Sequence, residues 1–199
     1  MPARLPLQAK SPFHLNPKPL EEMSSSRAGL LAASRTLRSL RVPVAAELNL
    51  QFKARQRGFT EGQAVESLLL LQIAGGDCPE DLVLLEGDAC LERGLGYAVP
   101  KARTARDFLD RFHDESVEAL RPAREEQKSF ILPRSPGVVR LQEVQVGLVR
   151  NVAQRYMQAG ETLKLATVDQ DATIIESHKR SALAHYEGGR GYQPMVAVW

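Results

Sequence analysis

The hydrophobic periodicity of this 199-residue sequence changes at Gly160. The pattern before this residue is typical of helices, and the pattern after it is typical of strands. Upstream, apolar residues recur at the three- and four-residue spacing of amphipathic helices. Downstream, residues 162–168 and 192–199 are aliphatic and β-branched, which is typical of strands. The sequence therefore predicts an α+β fold, with a helical region to about residue 159 and strands after it.

Proline and glycine divide the upstream part into a lead-in and a series of helices. Five prolines within residues 1–23 disfavour regular helix and indicate a flexible lead-in. Helices are predicted at 27–41, 60–74, 77–92, 104–119 and 138–158, with an irregular connection at 121–137. Val42-Pro43 is predicted to stop the first helix, and Thr104 to cap the fourth.

The helix at 60–74 is expected to be the most buried element. Thr60 and Gln63 have the spacing of a capping box, and Gly75-Gly76 would end the helix. Between these signals the apolar positions surround nearly the whole helix, as in a helix buried within a core.

Charge is unevenly distributed along the chain, although the net charge is only +2. Residues 1–60 contain ten Lys or Arg against three acidic residues, whereas residues 61–130 contain eight against fifteen. This asymmetry favours contact between the first third alone and a polyanion. Lys53, Arg55 and Arg57 are the predicted phosphate-binding residues within 24–60, and a solvated basic surface is the alternative.

Membrane and disulfide classes are not favoured by the sequence. It contains no apolar run of the roughly 20 residues that cross a bilayer, and its N-terminus has no continuous apolar core typical of a signal peptide. Two cysteines, Cys78 and Cys90, are too few for a disulfide framework or a four-ligand metal site. We therefore expect a cytoplasmic protein without a membrane partner.

Two aspartates, Asp169 and Asp171, follow the apolar segment 162–168. Side chains alternate along a strand, so both carboxylates are expected on one face at the strand end. Like charges held together repel, whereas a divalent cation would stabilise them because it prefers oxygen ligands. The alternative is a solvated strand-to-loop turn, in which aspartate is also common.

The last 31 residues run DQDATIIESHKR and then, after four residues, HYEGGRGYQPMVAVW. This stretch resembles bacterial insertion-sequence transposases of the Asp-Asp-Glu class. The matching elements are Asp169, Asp171, Ala172, Thr173, His178, Lys179, Arg180, Tyr186, Gly188, Gly191, Tyr192 and Pro194. A looser likeness upstream extends the resemblance to about 24–199. It implies a helical DNA-binding and dimerisation region at 24–159 and the first strands of an RNase-H-like catalytic domain at 160–199.

The function implied by this resemblance is metal-assisted phosphoryl transfer on double-stranded DNA at transposon ends, with Mg²⁺ or Mn²⁺ as cofactor. Asp171 matches the first acid of the family's triad, and Asp169 is a neighbouring or alternative metal ligand, so both are implied catalytic residues. Lys179 and Arg180 match a segment suited to the DNA backbone. The family's second Asp and its Glu lie further downstream, so we expect a C-terminally truncated fragment, inactive alone. A homodimer and a nucleoid-associated location are also implied.

Two other functions remain open from the sequence. Asp169-x-Asp171-x-Thr173 after an aliphatic segment also matches haloacid-dehalogenase-like phosphatases, with Asp169 as nucleophile and Asp171 as general acid and base. That motif normally lies near the N-terminus, whereas only 26 residues follow Thr173 here. The second alternative is a non-catalytic helical DNA-binding module, which needs only the basic first third. Magnesium-dependent chemistry would distinguish an enzyme from this module.

Overall fold

The computed structural model describes residues 25–53, 57–122, 133–161, 168–178, 182–185, 187–192 and 195–198. Its helices are α1 (Ala28–Ser39), α2 (Val42–Leu50), α3 (Glu61–Ile73), α4 (Ala89–Leu95), α5 (Ala102–Leu109), α6 (Glu115–Glu118) and α7 (Pro136–Gln158). Short 3₁₀ helices lie at Pro79–Leu84 and Asp110–Phe112. The strands are β1 (Asp169–Ala172), β2 (Ile175–Glu176), β3 (Leu183–Ala184), β4 (Arg190–Tyr192) and β5 (Met195–Val198).

All strand pairs in the described residues are antiparallel. β1 pairs with β5, and β4 lies between β2 and β3 in a second small sheet. These elements confirm the α+β class with a largely helical upstream part. The finer prediction of an RNase-H-like sheet stays a prediction, and the lead-in at 1–23 and residues 162–167 lie outside the described ranges. No helix in the described ranges is long and apolar enough to cross a bilayer.

Helix α3 has more buried residues than any other described element, as predicted. Its N-terminus is a capping box: Thr60 Oγ1 accepts from the Gln63 N–H at 3.1 Å, and Gln63 Oε1 accepts from the Thr60 N–H at 3.0 Å. α2 approaches α3 closely at Gly62, where an added Cβ would lie 2.5 Å from the Pro43 carbonyl oxygen. The backbone of α2 therefore excludes any side chain at this position.

Helix α3 is not apolar on all sides, although its sequence pattern predicts that it is. Glu66 and Ser67 are each only 1% exposed, whereas Ile73, counted among the apolar positions, is 57% exposed. The buried face of α3 thus carries a charge that a hydrophobicity pattern assigns to solvent. Its burial is possible because other elements supply partners.

Glu66 is a buried carboxylate that joins α1, α3 and the segment after α4. Its Oε1 accepts hydrogen bonds from Ser34 Oγ at 2.7 Å and Arg38 Nε at 2.8 Å, and its Oε2 accepts from Arg38 Nη2 at 2.9 Å and Tyr97 Oη at 3.0 Å. Arg38 Nη2 also donates to the Leu95 carbonyl oxygen at 2.7 Å. The hydrogen bond to Glu66 raises the pKa of the Arg38 guanidinium. These donors offset the desolvation of the carboxylate.

Two apolar clusters lie on either side of α3. The first is formed by Leu30, Leu70, Leu71, Leu82, Leu85, Leu91, Leu95, Val99 and Ala105, and the second by Ala46, Leu50, Ala64, Phe108 and Val144. Leu68 of α3 packs against both clusters. Phe52 stands edge-on to Phe108 and Phe112, with ring centroids 6.1 Å and 4.8 Å away. α3 is therefore the element shared by the whole helical core.

The chain after α1 differs from the prediction. α1 ends at Ser39, but Val42-Pro43 begins α2 instead of stopping regular structure. Proline fits the first turn of a helix because the N–H it lacks has no intrahelical partner there. Arg41 takes a left-handed conformation, with φ of 60°, and this residue redirects the chain between the two helices.

The predicted helices at 77–92 and 104–119 were wrong as continuous helices. The first divides into a 3₁₀ helix and α4, separated at Gly87, whose φ is 73°, and restarted by Asp88, whose side chain accepts from the Leu91 N–H. The second begins at Ala102, with Lys101 and not Thr104 at the N-cap. Asp114 restarts it as α6. Local capping by aspartate overrode the longer apolar pattern in both cases.

Helix α7 runs antiparallel to α2 and covers the C-terminal ends of α1 and α2. Arg155 Nη2 donates to the Ser39 carbonyl at 2.7 Å, and Asn151 Nδ2 to the Leu40 carbonyl at 2.8 Å. Arg140 Nη1 donates to the Leu50 carbonyl at 2.9 Å. These side chains satisfy carbonyl groups that a helix leaves unpaired at its C-terminus. The helix starts at Pro136, inside the predicted connection at 121–137.

Removing the arginine that pairs with Glu66 tests the role of this network. We expect Arg38→Met to lower the free energy of unfolding by about 2–3 kcal/mol, because Glu66 stays buried with two of its four hydrogen bonds lost. The measurement is urea unfolding followed by circular dichroism, and the exposed Arg103→Met is the matched control. Equal stability of the two variants would contradict the assigned role.

Tyr97 makes the stability pH-dependent in the alkaline range. Burial raises the pKa of the Tyr97 hydroxyl above its ordinary value, because the phenolate is disfavoured there. The contribution of this group is therefore complete below about pH 10 and is lost as the pH rises beyond it. We expect Tyr97→Phe to flatten the alkaline fall in unfolding free energy, measured by urea unfolding across the alkaline range. A parallel fall in both proteins would refute the assignment.

Candidate functional site

Two of the three predicted phosphate-binding residues flank the loop between α2 and α3. Lys53 and Arg57 are described, and Arg55 lies in the range 54–56 outside the described residues. Lys53 Nζ donates to the Arg57 carbonyl oxygen at 3.1 Å, and its backbone N–H donates to Glu61 Oε1 at 3.2 Å. These contacts hold Lys53 against both the loop and the start of α3.

Lys53 and Arg57 line a cavity of about 310 Å³ that also brings in Arg111. We call it the basic groove, and its further walls include Phe59, Phe108 and Asp107. Three cationic side chains against one carboxylate give it a positive charge, and its aromatic walls lower the local dielectric. A groove of this kind attracts phosphate groups.

Arg111 is not among the phosphate-binding residues predicted from the sequence. It lies in the part of the chain where acidic residues dominate, so averaging charge over 61–130 concealed it. Tertiary packing of the helix end Asp110–Phe112 against the α2–α3 loop brings it to Lys53 and Arg57. The edge-to-face contact of Phe52 with Phe112 is the nearest signal visible in the sequence, because both residues are aromatic and adjacent to basic residues.

A second cavity of about 620 Å³ adjoins the basic groove through Lys53. Glu47 and Glu61 line it, and they give it the opposite charge. The positively charged groove and the negatively charged cavity therefore meet at Lys53. A polyanion would be directed to the side of Arg57 and Arg111.

The basic face of α1 contributes less than its sequence suggests. Arg38 is bound to buried Glu66 and to the Leu95 carbonyl oxygen, so its positive charge is paired with a carboxylate inside the fold. Arg27 lies beside Asp88, whose pKa is lowered chiefly by the hydrogen bond from the Ser25 hydroxyl. Part of the positive charge predicted for 24–60 is thus paired with carboxylates inside the fold, whereas Lys53 and Arg57 line the basic groove.

The structure places Asp169 and Asp171 in β1, opposite Val198 and Val196 of β5. Their spacing of two residues matches the alternation of side chains along a strand, and the shared face of the two carboxylates stays a prediction. The apolar segment predicted to precede them lies at 162–167, outside the described residues, so their position at its end also stays a prediction. Asp169 is exposed, and Lys179 and Arg180 lie outside the described residues.

The described residues do not complete a metal site around these aspartates. Within the part of the chain that the structure describes, no group of three or more His, Cys, Asp or Glu side chains comes together. The β5 residues opposite the aspartates are valines, which offer no ligand atoms. Two carboxylates alone do not fit the ligand set of a two-metal centre, so no catalytic step follows from them.

The glycine-rich segment Gly188-Gly189-Arg190-Gly191 leads from a turn into β4. Gly188 has a φ of 91°, a conformation that favours glycine. A Cβ on Gly191 would lie 2.3 Å from the Ile175 carbonyl oxygen of β2. The segment is therefore required by close strand packing, and no helix follows it to form a phosphate loop.

Comparisons of the chain with protein-family models, curated proteins and solved structures found no match. Two features of the described residues bear on function. One is the basic groove, which tertiary structure assembles from residues distant in sequence. The other is the pair of aspartates two residues apart in β1.

Proposed function

We propose that this chain is part of a DNA transposase of the Asp-Asp-Glu class, and that its own activity is binding to the phosphate backbone of double-stranded DNA. The observation that carries the proposal is the run of transposase-like residues from Asp169 to Pro194. Two described features support it: the position of Asp169 and Asp171 two residues apart in β1, and the positive charge of the basic groove.

DNA binding at the basic groove depends on charge more than on base identity. Lys53, Arg57 and Arg111 would each neutralise a phosphate and release condensed counterions. Such contacts position a protein on the duplex without reading its sequence. The acidic walls formed by Glu47 and Glu61 repel the backbone from the neighbouring cavity and so limit its path. Binding of this kind would place the protein on the nucleoid and on transposon ends.

The catalytic part of the proposal assigns Asp171 as a ligand for Mg²⁺ or Mn²⁺, with Asp169 as a neighbouring ligand. In a complete site the metal would activate the attacking oxygen and stabilise the leaving oxygen of a phosphodiester. The two aspartates of β1 supply part of that ligand set, and further carboxylates are needed. A non-catalytic DNA-binding module is the competing function, and the lack of a third acidic partner among the described residues favours it.

Charge removal in the basic groove tests the DNA-binding proposal. We expect Arg111→Gln, and the double variant Lys53→Gln with Arg57→Gln, to weaken binding to a short labelled duplex. Each lost phosphate contact should reduce the slope of log K against log salt by about 0.9. Fluorescence anisotropy between about 50 and 200 mM salt measures both quantities.

Arg41→Gln is the matched control, because it removes the same charge from an exposed residue that does not line the groove. Weakening by Arg41→Gln equal to that by Arg111→Gln would show a diffuse charge effect. Affinity unchanged across this salt range would contradict phosphate binding altogether.

The presence of only two candidate metal ligands in β1 predicts whether the 199-residue chain cuts DNA when a divalent metal is added. We expect no nicking of duplex DNA in Mg²⁺ or Mn²⁺, because weakly held ions keep most of their water. A plasmid-nicking assay comparing the chain with Asp171→Asn measures this directly. Nicking that Asp171→Asn abolishes would show that the chain completes its own catalytic site.

A further inference from the structure

Helix α7 has an apolar side that no described element covers. Its inner side packs on α2, where Val144 is 5% exposed. On the opposite side Val139, Val146 and Val149 are 42%, 47% and 45% exposed. A helix turns by 100° per residue, so these three valines lie within one quarter of its circumference, facing away from Val144.

The uncovered side follows the heptad spacing of a coiled coil. Its positions alternate by three and four residues along five turns: Val139, Gln142, Val146, Val149, Ala153 and Tyr156. Valine at alternate positions of such a repeat suits packing of knobs into holes against a second helix. We call this row the α7 seam. Its spacing averages 3.5 residues, whereas a stripe facing a globular core follows 3.6.

The inner side of α7 is fixed and cannot rotate to bury the seam. Arg140, Asn151 and Arg155 donate to carbonyl oxygens at the ends of α1 and α2, and these three bonds span four turns of the helix. Rotation would break all of them and expose Val144. A second helix packed on the opposite side would bury the seam and leave these three bonds in place.

We infer that the α7 seam binds the same seam of a second copy of this chain, with the two helices antiparallel. In that arrangement Val146 packs against Val149 of the partner subunit across a two-fold axis, and the reverse contact repeats it. Val139 lies opposite Tyr156 of the partner subunit at either end. The interface is therefore self-complementary in shape.

Charge selects the antiparallel direction. Glu143 and Arg150 flank the seam on the same edge, and antiparallel pairing brings Glu143 beside Arg150 of the partner subunit twice. Parallel pairing would instead place Glu143 beside Val138 and Arg150 beside Gln145, without an ion pair. Both charged residues are exposed in the single chain, so each is accessible to a partner.

The seam is short, so the dimer is expected to be reversible. From residue 139 to residue 156 it extends about 26 Å, and such a helix pair lies at the lower end of specific interfaces. We expect a dissociation constant in roughly the micromolar range. The inference is independent of the proposed DNA function, because it uses neither the basic groove nor the aspartates.

Sedimentation velocity of the full chain at increasing concentration tests this inference. We expect a monomer–dimer equilibrium that Val146→Lys abolishes. Glu143→Arg alone and Arg150→Glu alone should each weaken the dimer about tenfold, and the two together should restore it, because the swap exchanges both partners of each ion pair. Circular dichroism and thermal unfolding verify that every variant folds.

Glu161→Lys, an exposed charge reversal beyond α7, is the matched control and should leave the dimer unchanged. A chain that is monomeric at all concentrations would overturn the inference and indicate that another segment covers the seam. A dimer insensitive to Val146→Lys would also overturn it. A dimer that Val146→Lys abolishes, but that neither charge reversal weakens, would contradict the antiparallel direction.

Discussion

A carboxylate can be buried in a helical core only where hydrogen-bond donors compensate for its lost hydration. The buried carboxylate of Glu66 sets this condition for the fold. Its four hydrogen bonds come from Ser34, Arg38 and Tyr97, which lie before and after it in the chain. Because hydrogen bonds are directional, they fix the positions of α1 and the segment after α4 against α3 more strictly than apolar contact does. The two apolar clusters then fill the space on each side of α3.

The packing of α7 follows from the same arrangement. Three side chains of α7 donate hydrogen bonds to carbonyl groups at the C-terminal ends of α1 and α2, the two helices that pack against α3. This attachment is polar, so it consumes little of the apolar surface of α7. The helix consequently contributes to the core through Val144 while leaving a valine row exposed, and one element can both stabilise the subunit and present an interface.

The basic groove and the paired aspartates belong to different parts of the chain. Phosphate binding and metal binding also require different sets of side chains. A phosphate-binding groove needs only cations with a fixed spacing, which the α2–α3 loop and the end of α5 supply. A metal centre needs several carboxylates in defined geometry, and β1 supplies two. The proposed DNA binding therefore needs only cations that the described residues supply, whereas the proposed transposase assignment depends on the sequence resemblance.

The sequence by itself determined the elements whose signals are local. The capping box at Thr60, the glycine end of α3 and the long helix α7 were all predictable from adjacent residues. Tertiary structure alone decided that Glu66 is buried, that Arg38 turns inward, and that Arg111 joins Lys53 and Arg57. Spacing and propensity report the preferences of neighbouring residues, whereas the burial of a charge depends on donors that only the folded chain brings within hydrogen-bond distance.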